Sequence, residues 1–378
     1  MPKINRRRAL QHLAAGAATL AAPVWAQSER RIVLGQSCAM SGAAAQLGLQ
    51  MNRGARIAFD TMNAAGGING HAIELRVMDD GYEPDRCKAN TQKLISDEVF
   101  ALFGYVGTPT ALAALPLVND ERIPFVGPFT GAEALREPFS RSVFHVRASY
   151  YDETALIVKQ LTSLGLKKIA VFRQNDSYGQ AGLDGVVRAL KAQSLAPTAV
   201  GLVERNSVDV AAAVKAIVPT MPDAVVQIGA YKGCAAFIRA ARKAGYGGTF
   251  YNVSFVGTQA LADELGKDGA GVVISQVMPF PFSTTTPISR EYLAAVQKAG
   301  GDATANYSSM EGYIAAKVFA EGLRRAGRNP SREALVTALE SMQRFDLGGY
   351  TCSFGPRDRA GSSFVELSML TGDGKVRR

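Results

Sequence analysis

The chain has 378 residues, of which 47% are apolar and 20% are charged, and its formal net charge is +9. These proportions are ordinary for a globular protein, and no segment has the roughly 18 uninterrupted apolar residues that a membrane span requires. Collagenous, disordered and integral-membrane classes are therefore excluded, and the length suits about two domains.

The first 26 residues have the pattern of a secretory signal peptide. A basic start without acidic residues precedes a small and apolar stretch at 9–22, and a small-x-small cleavage site ends at Ala26, so that the mature chain would begin at Gln27. The run Asn5–Leu10 resembles a twin-arginine export signal, with a Sec signal as the open alternative. An amphipathic first helix is disfavoured because the segment has no polar face. The basic residues are Lys3, Arg6, Arg7 and Arg8.

Cleavage at this site would remove four cations and lower the net charge from +9 to +5. The remaining charge forms no basic cluster interleaved with aromatic residues, so we predict no nucleic-acid partner. His71 and His145 would be the remaining histidines, which excludes a His-rich metal site, and we expect no metal and no cofactor. Because the residue directly after the cleavage site is Gln27 and the first cysteine is Cys38, a lipid anchor is disfavoured.

Four cysteines occur, at positions 38, 87, 234 and 352, without the C-x-x-C spacing of zinc or thioredoxin-type sites. Cys38 follows the first predicted strand, and Cys87 opens the helix after the second. Neighbouring parallel strands deliver their C-terminal loops to one edge of a sheet, and we therefore predict a Cys38–Cys87 disulfide in an oxidising compartment. The alternative is four buried free thiols.

From residue 31 onward, short β-branched runs alternate with helical patterns, such as 50–64, where apolar residues recur at spacings of three and four. This alternation predicts parallel sheets with helices on both faces, and the number of strands favours two doubly wound α/β units. The predicted strands are 32–35, 73–78, 100–103, 124–126, 143–146, 169–172, 225–228, 250–253 and 272–277. The C-terminal third adds helices near 288–299, 308–326 and 332–342, and strands near 349–354 and 364–370.

Ligands of such sheets bind beyond the carboxyl ends of the strands, where helix N-termini offer free N–H groups. Thr108 is predicted to cap a helix there, with Pro109 at its first position. Glycine-rich backbone and threonine hydroxyls suit an anionic group of a ligand, although a well-capped helix without any ligand is the alternative. The candidate residues on the first-half loops are Ser41, Tyr105, Gly107, Thr108, Phe129 and Thr130.

The second half carries aromatic, hydroxyl and acidic residues at successive strand ends. A tyrosine at a loop tip combines an apolar face with an orienting hydroxyl, which suits an organic ligand. Any one of these residues alone indicates ordinary packing, and it is their recurrence that favours a ligand site. The candidates are Tyr150, Asp176, Tyr231, Ser254 and Phe255.

Five segments in this order resemble the periplasmic leucine/isoleucine/valine-binding protein family, whose members are solute receptors of ABC importers. The segments are 39–42, 53–59, 63–70, 79–84 and 176–179. The Asn-x-x-Gly-Gly-Ile-x-Gly turn at 63–70 is the most specific of them, and the resemblance covers essentially the whole mature chain.

The resemblance implies two doubly wound parallel-sheet lobes that are joined by three hinge crossovers and close on a ligand. Lobe 1 would comprise 28–147 and 280–345, and lobe 2 would comprise 148–279 and 346–378. The implied function is capture of a small solute in the periplasm by a monomer that delivers it to a membrane permease. A ligand-sensing subunit of a signalling receptor is the alternative. Catalysis is disfavoured, because the chain lacks a Gly-x-Ser-x-Gly elbow, a Walker loop and a dinucleotide loop after its first strand.

By position, the resemblance implies that Thr108, Phe129 and Thr130 hold a ligand carboxylate. Amino-acid-binding members place an acid where Ser254 stands, and often a Trp where Leu47 stands. Both are absent here, and Asp176 is the nearest substitute acid. We therefore favour an aromatic or apolar carboxylate over leucine, isoleucine and valine, with an amino-acid or amide ligand as the alternative. Further implied contacts are Ser41, Leu47, Tyr150, Tyr231 and Ser254.

Overall fold

The computed structural model describes residues 30–378. The predicted signal peptide at 1–26 and the predicted mature start at Gln27 therefore lie outside the described residues. Among the described helices, none combines the length and the apolar character that crossing a membrane requires.

Lobe 1 is built on five parallel strands. They are β1 (Arg30–Cys38), β2 (His71–Asp79), β3 (Ala101–Phe103), β4 (Phe125–Val126) and β5 (Val143–Phe144), paired in the order β2-β1-β3-β4-β5. Three helices connect these strands, and three more return from the C-terminal third of the chain. The six are α1 (Ala45–Ala64), α2 (Pro84–Ser96), α3 (Thr108–Asp120), α9 (Pro287–Ala299), α10 (Tyr307–Ala326) and α11 (Arg332–Glu340).

Lobe 2 is built on a sheet of seven strands. They are β6 (Ile169–Gln174), β7 (Val200–Val203), β8 (Ala224–Ile228), β9 (Thr249–Asn252), β10 (Val273–Gln276), β13 (Glu366–Leu370) and β14 (Val376–Arg377), in the order β14-β13-β10-β9-β8-β6-β7. Its helices are α4 (Tyr150–Ser163), α5 (Ser177–Lys191), α6 (Ala211–Ile217), α7 (Tyr231–Lys243) and α8 (Thr258–Leu265). Short 3-10 turns occupy Glu133–Leu135, Val218–Thr220, Ser254–Val256 and Gly266–Gly269.

Most strands of the two sheets are short, and the central ones are buried, as parallel strands covered by helices on both faces should be. Every residue of β3 and β8 is buried. The last two strands differ from the predicted all-parallel arrangement, because β13 pairs antiparallel with β10 and with β14. A hairpin can join β13 to β14 directly, since antiparallel neighbours need no crossover helix.

The chain passes between the lobes three times: after β5, after β10 and before β13. This confirms the predicted α/β fold of two parallel-sheet lobes joined by three crossovers. The third crossover contains the hairpin of β11 (Phe345–Asp346) and β12 (Thr351–Cys352). Just after this hairpin, the Phe354 ring packs against the Phe144 ring of lobe 1, with the ring centroids 5.2 Å apart.

Helices α1 and α10 cross at a very short distance because glycines lie at their contact. A Cβ atom on Gly54 would lie 1.7 Å from the Ser309 carbonyl oxygen, and one on Gly312 would lie 2.1 Å from the Met51 carbonyl oxygen. Such distances are far below van der Waals contact, so the crossing requires glycine. The close approach fixes the first turns of α10, which carry Glu311, against the rest of lobe 1.

The predicted Cys38–Cys87 disulfide is wrong, because all four cysteines are buried free thiols in the structure. Side chains alternate along a strand, so Ser37 rather than Cys38 faces the helix that carries Cys87. The Ser37 hydroxyl interacts with the Cys87 thiol, whereas the Cys38 sulfur lies 3.6 Å from the Met40 sulfur. The two thiols belong to core clusters on opposite faces of the first sheet.

Candidate ligand-binding site

Loops of the two lobes meet at the carboxyl ends of the strands. Leu47 of lobe 1 packs against Gly257 of lobe 2, where an added Cβ would lie 2.4 Å from the Leu47 Cδ2 atom. Gln174 Nε2 of lobe 2 donates a hydrogen bond to the Tyr82 hydroxyl of lobe 1 at 3.2 Å. The lobes are therefore in the closed arrangement.

A polar contact at the rim joins the lobes as well, and we call Glu83, Arg205 and Asn206 the interlobe latch. Arg205 Nη2 and Asn206 Nδ2 of lobe 2 donate to the Glu83 carboxylate of lobe 1 at 2.9 and 2.7 Å. Asn206 Nδ2 also donates to the Gly81 carbonyl oxygen at 3.1 Å. These contacts exist only when the lobes are closed.

Two threonine hydroxyls from adjacent loops of lobe 1 are buried together. Helix α3 is capped by Gly107, with a φ of 107°, and not by the Thr108 side chain as predicted. A side chain at Gly107 would collide with the Tyr82 ring. The Thr108 hydroxyl lies instead 2.6 Å from the Thr130 hydroxyl, which lies 3.3 Å from the Tyr150 hydroxyl.

Five buried aromatic rings from both lobes form one wall of the interface. Phe255 of lobe 2 is central, with ring centroids 4.6 Å from Tyr178, 5.6 Å from Phe129 and 5.9 Å from Tyr82. Tyr150 lies 5.5 Å from Tyr178. The wall offers apolar surface with hydroxyl groups at its edges, which suits the body of an organic ligand.

A buried ionic network lies beside this wall. Arg147, in the segment that leaves β5, is fully buried, and its guanidinium lies 5.0 Å from the Phe129 ring centroid. Its Nη2 donates to Glu153 Oε1 at 3.3 Å and to the Ser254 hydroxyl. The Glu153 carboxylate also accepts from the Ser254 amide at 2.7 Å and from the Ser254 and Ser275 hydroxyls at 3.0 and 2.6 Å. Glu153 is therefore fully hydrogen-bonded.

A second buried carboxylate, Glu311, approaches Arg147 from helix α10. Its Oε1 atom lies 3.5 Å from Arg147 Nη1, too far and too poorly aligned for a hydrogen bond. It lines a small cavity between the lobes together with Phe129, Ser254 and Ser308.

Four buried polar atoms of this cluster have no hydrogen-bond partner within residues 30–378. They are Arg147 Nε, Arg147 Nη1, Glu311 Oε1 and the Tyr178 hydroxyl. An unsatisfied buried polar group costs about 1–3 kcal/mol, so native proteins rarely keep several together without a function. A polar ligand between the lobes would satisfy them.

Burial and neighbouring charges set the ionisation of these groups. Burial raises the pKa of Glu311 to about 7, against an opposing effect of Arg147 and with a further contribution from Glu153. Burial alone would lower the pKa of Arg147, but Glu311 and Glu153 raise it overall, so the guanidinium stays charged. Burial raises the pKa of Tyr150 to about 12 and that of Tyr178 further, so both hydroxyls are neutral at physiological pH.

The structure brings six of the predicted site residues into this cluster. They are Thr108, Phe129, Thr130, Tyr150, Ser254 and Phe255. Gly107 and Leu47 lie at the edge of the cluster. Gly107 leaves space for the Tyr82 ring, and Leu47 contacts Gly257 of lobe 2. Tyr231 begins α7, and its hydroxyl faces the backbone of Gln46 across the interface.

Three other predicted residues are engaged elsewhere. Ser41 is exposed, and its hydroxyl donates to Asp79 Oδ2 at 2.5 Å. Tyr105 packs on the opposite face of the first sheet, with its hydroxyl 3.1 Å from the Thr91 hydroxyl. Asp176 caps α5 by accepting from the Tyr178 and Gly179 amides, so its carboxylate is already hydrogen-bonded.

The sequence reasoning missed Tyr82, Arg147, Glu153, Tyr178 and Glu311. One signal was available for Glu311, because it is the one charged residue in the sequence from Tyr307 to Ala316, a segment that the structure shows to be wholly buried. A lone acid inside an otherwise small or apolar helical segment indicates a buried, partnered charge. Arg147 gave a weaker signal, as a cation directly after a predicted strand.

Comparison with known proteins gives one consistent result. A family model described as periplasmic binding protein matches residues 31–371. The chain is 35% identical to a possible leucine/isoleucine/valine-binding protein from Rhodopirellula baltica SH 1, with a TM-score of 0.88 over 92% of this chain and 96% of that one. It is 33% identical to a substrate-binding periplasmic protein from Ralstonia solanacearum, with a TM-score of 0.87 over 91% and 99% of the two chains. It is 24% identical to Leu/Ile/Val-binding protein homolog 8 from Brucella abortus, over 94% of this chain and 92% of that protein.

Proposed function

The chain belongs to the periplasmic binding protein family, and from this premise we propose that it captures a small carboxylate-bearing organic solute between its lobes and delivers it to the permease of an ABC importer. Its relatives are extracytoplasmic solute receptors and not enzymes. We further propose that it is exported by the twin-arginine or Sec route and acts as a monomer.

The observation that carries this proposal is the group of unpartnered polar atoms on Arg147, Tyr178 and Glu311 at the closed interface. Arg147 follows a strand of lobe 1, and Tyr178 follows a strand of lobe 2. Glu311 lies on helix α10, which returns to lobe 1. A ligand that satisfies all three stabilises the closed form, since it makes the complete set of contacts only there.

The carboxylate of the ligand is assigned to Arg147 and the threonine pair. Arg147 has two unused N–H groups, and Thr108 and Thr130 place hydroxyls on the lobe 1 side. The apolar body of the ligand would lie on the aromatic wall. An aromatic or apolar acid is favoured over leucine, because Glu153 is fully hydrogen-bonded and Asp176 caps a helix, so neither is free to pair with an ammonium.

An amino-acid ligand is the second candidate, and Glu311 is the observation that favours it. Its unpartnered oxygen in the cavity could accept hydrogen bonds from an α-ammonium group. The two ligand classes differ in what they require of Glu311, and this difference makes them separable by experiment.

Ligand screening tests the proposal. We expect at least one acid among benzoate, phenylacetate and hexanoate to raise the melting temperature of the protein, because a ligand that binds only the folded form stabilises it. Calorimetry would then give the dissociation constant. A protein that binds leucine tightly and ignores every acid would contradict the proposed ligand class, and a protein that binds neither would contradict the proposed function.

Two substitutions locate the site. Thr108→Val and Tyr178→Phe should each weaken binding of the acid, since a lost hydrogen bond to a charged group costs about 1.5–3 kcal/mol, or roughly ten- to a hundredfold in Kd. Thr162→Val is the matched control, because the Thr162 hydroxyl donates to the Val158 carbonyl within α4. Unchanged affinity in both test variants would place the site elsewhere.

A further inference from the structure

Glu311 has no neutralising partner of its own at the interface. Arg147 uses Nη2 for Glu153 and Ser254, whereas its Nη1 lies 3.5 Å from Glu311 Oε1 without a hydrogen bond and its Nε has no partner within the described residues. The Glu153 carboxylate accepts hydrogen bonds from the Ser254 amide and the Ser275 hydroxyl. With both carboxylates ionised, Arg147, Glu153 and Glu311 would together carry a net charge of −1 before any ligand arrived.

The carboxylate of an incoming ligand would increase this net negative charge. It would put three carboxylates around a single guanidinium in the interior, and uncompensated buried charge costs several kcal/mol. A proton on Glu311 removes the conflict. The neutral carboxylic acid can donate a hydrogen bond to the ligand carboxylate, while Arg147 Nε and Nη1 donate to the same group.

We propose that this site takes up one proton from solvent, on Glu311, together with each carboxylate ligand that lacks an ammonium group. The inference rests on the proposed function and specifies its ligand class. The ligand brings one negative charge and the proton brings one positive charge, so closure carries no net charge into the interior. Affinity for such acids therefore falls as the pH rises, whereas a zwitterionic amino acid would bind to ionised Glu311 without a proton.

The surroundings of Glu311 make it the group that titrates. Burial already holds its pKa at about 7 in the closed structure, so protonation near neutral pH costs little free energy. The other ionisable groups that face it are Arg147 after β5, Glu153 on α4 and Tyr350 in the third crossover. Arg147 stays charged, and burial raises the pKa of Tyr350 far above neutrality, so neither changes protonation between pH 5 and 9.

Tyr307, on the same helix, lines the same cavity, and its hydroxyl reaches Glu366 at 3.5 Å. Burial raises the pKa of Tyr307 well above the physiological range. Burial also raises the pKa of Glu366, but this carboxylate pairs with Arg378 at 3.0 Å.

Calorimetry across pH tests the proposal with the tightest-binding acid of the benzoate, phenylacetate and hexanoate panel. We expect a constant Kd below about pH 6 and a Kd that rises toward tenfold per pH unit above pH 7, as uptake of one proton requires. At pH 8 the binding heat should differ between phosphate and Tris by the ionisation heat of about one proton per ligand. A Kd independent of pH, with equal heats in both buffers, would overturn the proposal.

A matched pair of variants assigns the proton. Glu311→Gln keeps a hydrogen-bond donor without a charge, so it should bind the acid at pH 8 at least as tightly as the wild type and lose the pH dependence. Glu321→Gln makes the same substitution on the same helix, where Glu321 pairs with Arg324 and Arg325, and should keep the wild-type profile. If Glu311→Gln does not fold, the buffer heats of the wild type decide alone.

The remaining outcomes are distinguishable. Loss of acid binding in Glu311→Gln, or a wild-type profile in that variant, would overturn the role of Glu311 and leave the proposed function intact. Binding of leucine but of no acid, abolished in Glu311→Gln, would make Glu311 an ammonium partner and overturn the proposal. Absence of binding by leucine and by every acid, at both pH 5.5 and pH 8, would contradict the proposed function itself.

Discussion

Arg147 is the residue on which the buried polar groups of the interface depend. It joins Glu153 of lobe 2 to Glu311 of lobe 1 while being fully buried itself. Burial of a charge is tolerated only with good pairing, and the guanidinium has the fixed fork of donors that such pairing needs. Arg147 therefore contributes to stability and to ligand binding through different N–H groups.

Arg147→Met should destabilise the ligand-free protein by about 3–5 kcal/mol, because it leaves two carboxylates in the interior without their cation. Chemical denaturation would measure this change in the free energy of unfolding. Arg239→Met is the control, since Arg239 and Asp268 form an exposed pair at 3.1 Å, whose loss should cost less than about 1 kcal/mol. Equal effects of the two substitutions would contradict the stabilising role of Arg147.

Among the elements, the crossing of α1 and α10 determines where Glu311 lies. The two helices touch backbone to backbone at Gly54 and Gly312. A larger side chain at either position would move α10 outward and carry Glu311 away from Arg147. The packing of a helix pair in lobe 1 is thus coupled to the geometry of the site.

Gly54→Ala should destabilise the protein by roughly 2–4 kcal/mol, since its Cβ would collide with backbone that cannot move alone. It should also weaken acid binding. Gly247→Ala is the matched control, because no atom lies within 4 Å of the added Cβ and the backbone is not left-handed there. Thermal unfolding of both variants measures the difference, and similar melting temperatures would contradict the close-contact argument.

The interlobe latch joins the β2–α2 loop to the β7–α6 loop. Glu83→Ala should remove its contacts with Arg205 and Asn206 and shift the population toward the open form. Because partly exposed pairs are worth about 0.2–1 kcal/mol, the loss in ligand affinity should be at most about fivefold. Calorimetry and small-angle scattering of the ligand-free protein measure the two effects. An unchanged affinity with an unchanged radius of gyration would show that the latch does not stabilise closure.

The elements that the sequence predicts well are those with a strong local pattern. Strands such as β8 and helices such as α1 follow from β-branched runs and apolar periodicity, and the site loops follow from the shared edge of parallel strands. Glu311 could not be found in this way, since it reaches the site from a helix more than 150 residues after Arg147. The disulfide prediction failed because it considered the loop edge and not the alternation of side chains along β1.

For the whole molecule, two buried acids make the stability depend on pH. Burial raises the pKa of Glu311 from 4.5 to about 7 and that of Asp80 from 3.8 to about 6. Both values in the folded state exceed those of the unfolded chain, so the stability they contribute is complete below about pH 4 and is lost as the pH rises through 6 to 7.

Without ligand, the free energy of unfolding should therefore decrease between about pH 4 and 7. In Glu311→Gln the decrease should be smaller by up to roughly 3 kcal/mol, the equivalent of the shift in the Glu311 pKa. Urea denaturation at several pH values measures this, with Glu321→Gln as the control. A parallel pH profile for wild type and Glu311→Gln would contradict the burial of an ionisable Glu311.

The closed interface has a further consequence for the rate of exchange. Every side chain that lines the cavity is at most 8% exposed, so a bound solute cannot leave until the lobes separate. Domain opening of this kind takes microseconds to milliseconds or longer. The residence time of a solute is then limited by the three crossovers, and a substitution that slows their motion should lengthen the residence time of every solute by the same factor.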